Sequence, residues 1–492
     1  MYLTVASIGQ KVLAFAYFLL LARLLQPEKT GLYAVALSLA TTFSVIADFG
    51  TPSVVIRDVA KDPVHSLSLV RQAFAFKLPL TLFAIIASNA TAYLLGYEPD
   101  ARLLVALAGG ILFLDSLSIF FYGVLRGLHV LAYESLGMFV GQLMTLVGGA
   151  LALWLHPTLP VLILTLTLGS LFNAAYASCQ VVRRLGMRAL MPQWTKSGFR
   201  HIAKAAFPFF LAAGFVKLFG SLDVQFLKFF QGNAAVGVYS VAYKFTYAFQ
   251  FLPLAFVAAL YPSMSALVGN KDMAGLERLF EKSMRYMLLL SIPLAFGISF
   301  IADQAVGLVG STYGAAIPVL SFLPFVLIPS FLDFPIGSLL NASGRQGTKT
   351  ALFGATLAVN FLLNLYAVPR YGMMGAAGAS VFSIVFLVLG GLHFVPGIIR
   401  GYRHARLIRI AFPFVFAGMA MRLMGHAARI GLDRWTTMSP RIELMLVVCA
   451  SACTYAVTLW LTRAVSAHDV RGFTRLFRRT SPAYAQDAPV DA

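Results

Sequence analysis

The chain has 492 residues, of which 59% are apolar and 12% are charged, and its mean hydropathy is +0.81. Soluble globular proteins carry about 25% charged residues, so this composition excludes that class and indicates an integral membrane protein. The formal net charge of +19 does not indicate a nucleic-acid partner, because basic residues of a multi-span protein mostly record its orientation and no basic-aromatic nucleic-acid module is present in the sequence.

Apolar windows of the length of a helical span, about 20 residues, recur roughly fourteen times along the chain. The first lacks the basic start and cleavage site of a signal peptide, so we expect it to be retained as a span. The sequence therefore predicts an all-α polytopic membrane protein with spans near 3–25, 33–53, 73–95, 103–125, 135–155, 159–182, 205–230, 236–262, 285–308, 316–340, 350–368, 375–397, 408–428 and 442–462.

The distribution of Lys and Arg predicts the orientation. An even number of spans places both termini on one side, and the loops and tail on that side hold 26 of the 38 basic residues. Because basic loops stay in the cytoplasm, we expect both termini there. The last loop on the opposite side, which also carries basic residues, is the weakest part of this pattern.

The two halves of the sequence resemble each other. Gly31-Leu32-Tyr33-Ala34-Val35-Ala36 aligns with Gly237-Val238-Tyr239-Ser240-Val241-Ala242 at an offset of 206 residues. Six spans per repeat is an even number, which predicts two pseudo-symmetric lobes in the same orientation, as in transporters that rock one lobe against the other. The predicted units are an N-lobe (1–182), an amphipathic cytoplasmic linker (183–204), a C-lobe (205–398), two further spans (399–462) and a cytoplasmic tail (463–492).

The stretch 211–250 carries charges at a depth where they need a polar environment. Lys217, Ser221, Gln225 and Lys228 fall on one helix face, and a stripe of this kind is too costly to face lipid, so we expect it to line the space between the lobes. Asp223 points away from the stripe, and two interpretations stay open for it: a partner for a basic group on a neighbouring helix, or part of the cavity wall.

A second series follows on the next span. Tyr239, Tyr243 and Tyr247 share a face and are interpreted as an aromatic packing seam. Lys244 lies beside them, and its ammonium group needs water, an anion or a carboxylate, unless it reaches the interface by extending along the helix. Asp48 lies near a helix end, where Arg57 or water is the expected partner.

The sequence contains no catalytic constellation of a known type. It has no nucleotide-binding loop, zinc-protease motif or nucleophile elbow, and its three cysteines show no metal or disulfide spacing. We therefore expect no enzymatic activity, no cofactor and no metal.

Four segments resemble the polysaccharide flippases of the MOP exporter superfamily. They are ARLLQPEKTGLYAVA after the first span, ADFGTPSVVIRDVA at the end of the second, GVYSVAYKFTYAFQFLPLAFVAALYPSMSAL in the eighth, and VPRYGMMGAAGAS before the twelfth. The motifs are degenerate one by one, but they occur in the family's order and extend over most of the first twelve spans.

The resemblance implies an inner-membrane protein that moves undecaprenyl-diphosphate-linked oligosaccharide to the outer leaflet by alternating access. It implies Arg23, Lys217, Lys228 and Lys244 as contacts for the diphosphate or sugar acids, with Ser221 and Gln225 on the same polar stripe. Asp48 and Asp223 become structural or gating residues. Membrane lipids, a polysaccharide polymerase and glycosyltransferases are the implied partners.

Three alternatives stay open. A lipid II flippase of the same superfamily would carry several basic residues early in its first two spans, where this chain offers Lys11 and Arg23. A cation-coupled multidrug exporter would use an acidic cavity, for which Asp115, Asp303 and Asp333 are available. A membrane glycosyltransferase or ligase would need a sizeable outer loop, and the predicted outer loops are short.

Overall fold

The computed structural model of the chain describes residues 2–435 and 440–464. Regular structure within these residues is helical, with no strand. The α-helices are α1 (Tyr2–Leu24), α2 (Pro27–Asp48), α3 (Thr51–Lys61), α4 (Ser66–Leu94), α5 (Pro99–Gly127), α6 (Leu131–Leu155), α7 (Leu159–Leu185), α8 (Lys196–Tyr247), α9 (Phe251–Gly269), α10 (Met273–Phe300), α11 (Ala302–Val309), α12 (Ala316–Phe322), α13 (Leu327–Ala342), α14 (Gln346–Phe394), α15 (His404–Trp435) and α16 (Pro440–Leu461). Short 3₁₀-helices cover Met187–Leu190, Ser311–Tyr313, Leu323–Val326 and Val395–Gly397.

Two of the helices are hairpins. In α8, Gly232 has φ 81° and ψ −175°, a backbone conformation that side-chain-bearing residues avoid. The Tyr239 hydroxyl donates to the Asp223 carboxylate across this glycine at 2.6 Å, although 16 residues of straight helix would span about 24 Å. Gly372, with φ 54°, forms the corresponding turn in α14. We call 196–231 and 233–247 the first and second arms of α8.

The number of membrane crossings follows from these hairpins. Among the described residues, 11 helical stretches are long and apolar enough to span a membrane. Two of these stretches contain the hairpins at Gly232 and Gly372, and α1 adds a further apolar helix of 23 residues. Counting each arm separately gives fourteen crossing segments in the described part of the chain, and the predicted all-α polytopic fold is confirmed.

The two halves of the sequence cross at one end of the bundle, which we call the hairpin end because it carries the α1–α2 turn and the turn of α8. A Cβ atom on Gly31 would lie 1.7 Å from the Asn233 carbonyl oxygen, and one on Gly237 would lie 2.0 Å from the Pro27 carbonyl oxygen. These two contacts are related by the same offset of 206 residues. The aligned glycines are therefore where the backbones of the two repeats touch.

A tyrosine from the C-terminal half braces the same end. The Tyr313 hydroxyl donates to the Leu25 carbonyl oxygen at 3.0 Å and lies 2.7 Å from the Thr30 hydroxyl. Burial raises the pKa of Tyr313, so this phenol stays protonated at physiological pH. Together with the glycine crossing, this brace closes the hairpin end between the two halves.

The opposite end carries residues 186–195, which join α7 to α8, and we call it the linker end. The Thr195 hydroxyl caps α8 by accepting from the Gly198 amide at 3.2 Å. The helix therefore starts at Lys196, before the predicted span at 205, and continues through Pro208 into the bundle.

Helices α15 and α16 lie outside the repeat. Near its start, α15 forms ion pairs from Arg406 to Glu277 and Glu281 of α10. Further along, Arg429 pairs with Asp303 at 2.9 Å. The basic residues that looked out of place in the last predicted outer loop thus include one that attaches α15 to α11. The predicted tail 463–492 lies outside the described residues apart from its first two positions.

Candidate substrate site between the two halves

Helix α2 packs along the first arm of α8, and we call this contact the α2 seam. The Lys217 ammonium group lies 2.9 Å from the Asp48 carboxylate and 2.9 Å from the Ser44 hydroxyl. These bonds connect the N-terminal and C-terminal halves across the seam. The Lys217 side chain keeps 31% of its surface exposed, so it remains reachable from the space between the halves.

Asp48 is shared between two lysines. Its other carboxylate oxygen accepts from Lys77 at 2.9 Å and from the Ser116 hydroxyl at 3.0 Å. The Lys77 side chain is completely buried, so Asp48 is the counter-ion that makes its burial tolerable. The expected partner Arg57 instead bonds to its neighbour Asp58 at 2.6 Å. Asp48 is therefore a junction within the N-terminal half as well as a contact across the seam.

The next two residues of the predicted stripe also face the N-terminal half. Ser221 accepts from the Thr42 hydroxyl at 2.8 Å. The Gln225 side chain donates to Ser38 at 3.2 Å and accepts from Tyr97 at 2.9 Å. Because burial raises the pKa of Tyr97 to about 12, its hydroxyl remains a donor at physiological pH. The stripe thus lies between the halves, where the sequence predicted it, and its members are partnered.

The other predicted basic contacts differ in their surroundings. Lys228 lies near the hairpin end, 3.6 Å from the Glu98 carboxylate and 5.4 Å from the centre of the Tyr97 ring. Only 10% of its side chain is exposed. Arg23 is exposed at the end of α1. The structure therefore does not gather all four predicted basic residues at one point.

Helix α1 faces the second arm of α8, and we call this contact the α1 seam. Phe15 packs edge-on against Phe245 with ring centroids 5.1 Å apart, and the Lys244 ammonium lies 5.5 Å from the centre of the Phe18 ring. Lys11 lies four residues before Phe15 and therefore on the same face of α1. Both lysines are exposed, and no ion pair involves either of them within the described part of the chain.

Asp223 belongs to the C-terminal half. It accepts from the hydroxyls of Tyr239 and Ser380, each at 2.6 Å, and from the Asn364 amide at 3.0 Å. Among the described residues no basic group pairs with it. The sequence left two interpretations open, a basic partner or a place in the cavity wall. The carboxylate has hydroxyl and amide donors instead of a basic partner, and it lines a cavity.

Two cavities with carboxylates in their linings lie on either side of the α2 seam. One, of about 360 Å³ in the N-terminal half, is lined by Asp48, Asp115 and Asn173 among others. The other, of about 460 Å³ in the C-terminal half, is lined by Asp223 and Asp333 together with Tyr243 and Tyr247. The linings contain carboxylates and no lysine among the described residues. Asp48 and Asp333 are neutralised by lysines, and the partner of Asp333 is Lys349.

Two lysines of the structure, Lys77 and Lys11, are not among the site residues predicted from the sequence. Lys77 lies within the predicted window 73–95, and α4, which begins at Ser66, places it well inside the helix. A lysine inside a predicted span is the signal that identifies it. Lys11 was noted inside the first span, and its alignment with Lys217 at the offset of 206 would have linked it to the polar stripe.

The comparisons with known proteins fit this architecture. The family model described as "Polysaccharide biosynthesis protein" matches residues 1–268, and a second model, MatE, matches residues 208–366. The chain is 14% identical to a solved structure titled "Lipid II flippase MurJ, inward closed conformation", with a TM-score of 0.76 over 94% of this chain and 98% of that one. At this identity the likeness concerns the fold.

Curated relatives carry flippase or transport names. The chain is 26% identical over 243 residues to the "Probable flippase AglR" of Haloferax volcanii, covering 48% of this chain and 49% of that protein. It is 25% identical over 335 residues to the "Succinoglycan biosynthesis transport protein ExoT" of Rhizobium meliloti, covering 63% and 62%. The chain spans about half the length of the first of these relatives.

The fold and the seams define a multi-pass membrane protein of the MOP superfamily type, built from two repeats that meet at polar seams. The family model extends over more than half of the chain, and the chain belongs to the polysaccharide biosynthesis protein family. The resemblance inferred from the four sequence motifs is thereby confirmed.

Proposed function

We propose that the protein is a flippase that moves an undecaprenyl-diphosphate-linked oligosaccharide across the bacterial inner membrane by alternating access. The observation that carries the proposal is the Lys11–Lys244 pair in the α1 seam. Lys11 lies one turn before Phe15 on α1, Lys244 lies against Phe18 of the same helix, and no carboxylate pairs with either lysine within the described residues, so both ammonium groups need an anion or water. A diphosphate supplies several acceptor oxygens and two or more negative charges, which matches two neighbouring cations.

Lys217 is the third proposed contact. An anionic headgroup that reaches the α2 seam competes with Asp48 for the Lys217 ammonium group, whereas Asp48 keeps Lys77. Substrate binding would then loosen the connection between the halves without leaving a buried charge unpaired. Lys228, Ser221 and Gln225 continue this face toward the hairpin end, and Arg23 lies beyond them as a contact for sugar acids.

The proposed orientation places the linker end in the cytoplasm, in agreement with the excess of basic residues there. In this orientation the closed hairpin end faces the outer leaflet, and a transport cycle would require this end to open before the substrate leaves. The proposal includes glycosyltransferases that supply the lipid-linked glycan and a polymerase that consumes it, and it assigns no chemical step to this chain.

A second candidate function is favoured by the carboxylates of the two cavities. Asp115 and Asp223 face the cavities without a basic partner among the described residues. Carboxylates of this kind suit a cation-coupled exporter of cationic compounds. Uptake of a lipophilic cation into proteoliposomes, abolished by Asp115→Asn and unaffected by Lys11→Gln, would support this function over lipid transfer.

Leaflet transfer of an undecaprenyl-diphosphate oligosaccharide in proteoliposomes tests the main proposal. We expect Lys11→Gln combined with Lys244→Gln to slow transfer at least tenfold. Lys61→Gln, which removes an exposed lysine at the end of α3, is the matched control and should transfer normally. Wild-type transfer in the double variant would contradict the proposal. Turnover of sugar donors without transfer would instead support a glycosyltransferase.

A further inference from the structure

The start of α8 forms an exposed groove that the proposed transport does not use. Its volume is about 920 Å³, and its lining comes from one short stretch, 194–204. The stretch precedes the membrane-crossing part of the first arm and joins the two halves of the chain. We propose that this groove binds anionic phospholipid headgroups of the cytoplasmic leaflet.

The charges of the groove are arranged for this ligand. Lys196, Arg200 and Lys204 follow one another at intervals of four residues, so they form a basic stripe along one helix face. All three side chains are exposed. No carboxylate forms an ion pair with any of them in the described ranges 2–435 and 440–464, and the nearby Asp58 is bonded to Arg57 and His201 instead. The stripe is available to a phosphate.

Apolar side chains lie beside the basic stripe. Phe199, Ala203 and Phe207 share the adjacent helix face, and Trp194 lies at the beginning of the groove with 61% of its surface exposed. Large exposed aromatic groups are unfavourable in water, whereas tryptophan and phenylalanine beside Lys and Arg are typical of helices at a membrane interface. An anionic lipid satisfies both faces, because its headgroup pairs with the stripe while its acyl chains cover the aromatic groups.

The groove is held in place before any lipid binds. The backbone amide of Gln193 donates to the Arg71 carbonyl oxygen at 3.1 Å, and the Arg71 side chain donates to the Met191 carbonyl oxygen at 3.0 Å. The Phe199 ring packs against Phe76 of α4 with centroids 4.9 Å apart. The segment is thus attached to the N-terminal half at α4. A lipid in the groove would stabilise the junction between the halves.

Trp194 provides the readout. A variant of the full chain in which the other three tryptophans are Phe is placed in nanodiscs that contain phosphatidylcholine with increasing phosphatidylglycerol. We expect a saturable blue shift of Trp194 emission as phosphatidylglycerol increases. Each basic residue at an anionic surface contributes about fivefold in affinity, so Lys196→Gln, Arg200→Gln and Lys204→Gln together should weaken the response about a hundredfold.

The control removes three other exposed basic residues at the linker end, with Arg400→Gln, Arg403→Gln and Arg409→Gln, and should leave the titration unchanged. An equal shift in pure phosphatidylcholine would overturn the proposal, since apolar contact alone would then explain it. So would binding of inorganic diphosphate in detergent that the groove variant abolishes, because the groove would then be a soluble-anion site. Since the readout does not involve transfer, a failed transport assay leaves this test intact.

Discussion

The α2 seam and the α1 seam are built from helices that the sequence repeat relates to each other, yet an ion pair connects the halves at only one of them among the described residues. At the offset of 206 residues, α1 corresponds to the first arm of α8, and α2 corresponds to the second arm together with the start of α9. Lys217 therefore corresponds to Lys11, and Asp48 corresponds to Leu254. The lysine is present in both repeats, whereas the carboxylate is present in one.

The difference shows that the related helices have diverged in both packing and charge, because α2 packs along the first arm of α8 whereas α1 meets the second arm through a few side chains. The α2 seam satisfies its lysine internally, whereas the α1 seam carries Lys11 and Lys244 with no carboxylate paired to either among the described residues. One seam is thus held together by an ion pair, and the other carries positive charge without a paired counter-ion in the described part of the chain. Substitutions can test each part of this contrast.

The largest effect is expected at the junction that supports the α2 seam. Asp48→Asn leaves Lys77 fully buried without a counter-ion, and breaking a buried pair costs about 3–5 kcal/mol of the free energy of unfolding. Denaturant unfolding in detergent measures this loss. Asp48→Asn combined with Lys77→Met should recover much of it, because no buried charge remains. A single variant as stable as the wild type would show that the Lys77 charge is not buried as described.

The second largest effect is expected at the crossing of Gly31 and Gly237, which joins α2 to the second arm of α8. Gly31→Ala places a Cβ atom 1.7 Å from the Asn233 carbonyl oxygen, and overpacking of this kind costs about 1–3 kcal/mol. We expect the hairpin end to open, which spin labels at Glu28 and Gln231 would report as an increased distance. Gly110→Ala is the control, since its Cβ would lie 3.8 Å from the nearest side chain. An unchanged distance would disprove the closure of this end.

A smaller effect on stability should distinguish Lys217 from Lys244. Lys217→Gln removes one half-exposed partner of Asp48, and we expect a loss of about 1 kcal/mol in the free energy of unfolding, discounted for solvent screening. Lys244→Gln breaks no ion pair among the described residues and should cause no loss. Unfolding of both variants under identical conditions measures the difference. Equal destabilisation by the two substitutions would contradict the contrast between the seams.

The smallest expected effect on stability comes from introducing the carboxylate that the second repeat lacks. Leu254→Asp places a carboxylate in α9 at the position that the repeat relates to Asp48, where it would be the counterpart partner for Lys11. We expect a stability change of less than about 1 kcal/mol but slower lipid transfer, since the new carboxylate competes with the substrate for Lys11. Leu254→Asn controls for lost apolar surface. Faster transfer in the Asp variant would argue against an anionic substrate.

Much of the fold could be predicted from the sequence because hydrophobic length specifies membrane spans directly. The aligned glycines and the placement of the polar stripe between the halves both agree with the structure. These features depend on composition and helical periodicity, which are local properties.

The partners of the charged residues could not be predicted in the same way. The sequence suggests Arg57 or water as the partner of Asp48, but the end of α2 brings Asp48 against α4 and α8, which are distant in sequence. Asp223 likewise obtains its donors from α14. Such contacts depend on how helices are arranged around one another, and a single sequence contains little information on that arrangement.

The crossing of Gly31 and Gly237 also has a consequence for kinetics. Each glycine packs on the carbonyl oxygen of the residue four positions before the other, so neither contact can be lost while the second stays intact. Separation at the hairpin end must therefore be cooperative, with a closed and an open population and no stable half-open species. A single molecule observed over time should switch between two distances in abrupt steps.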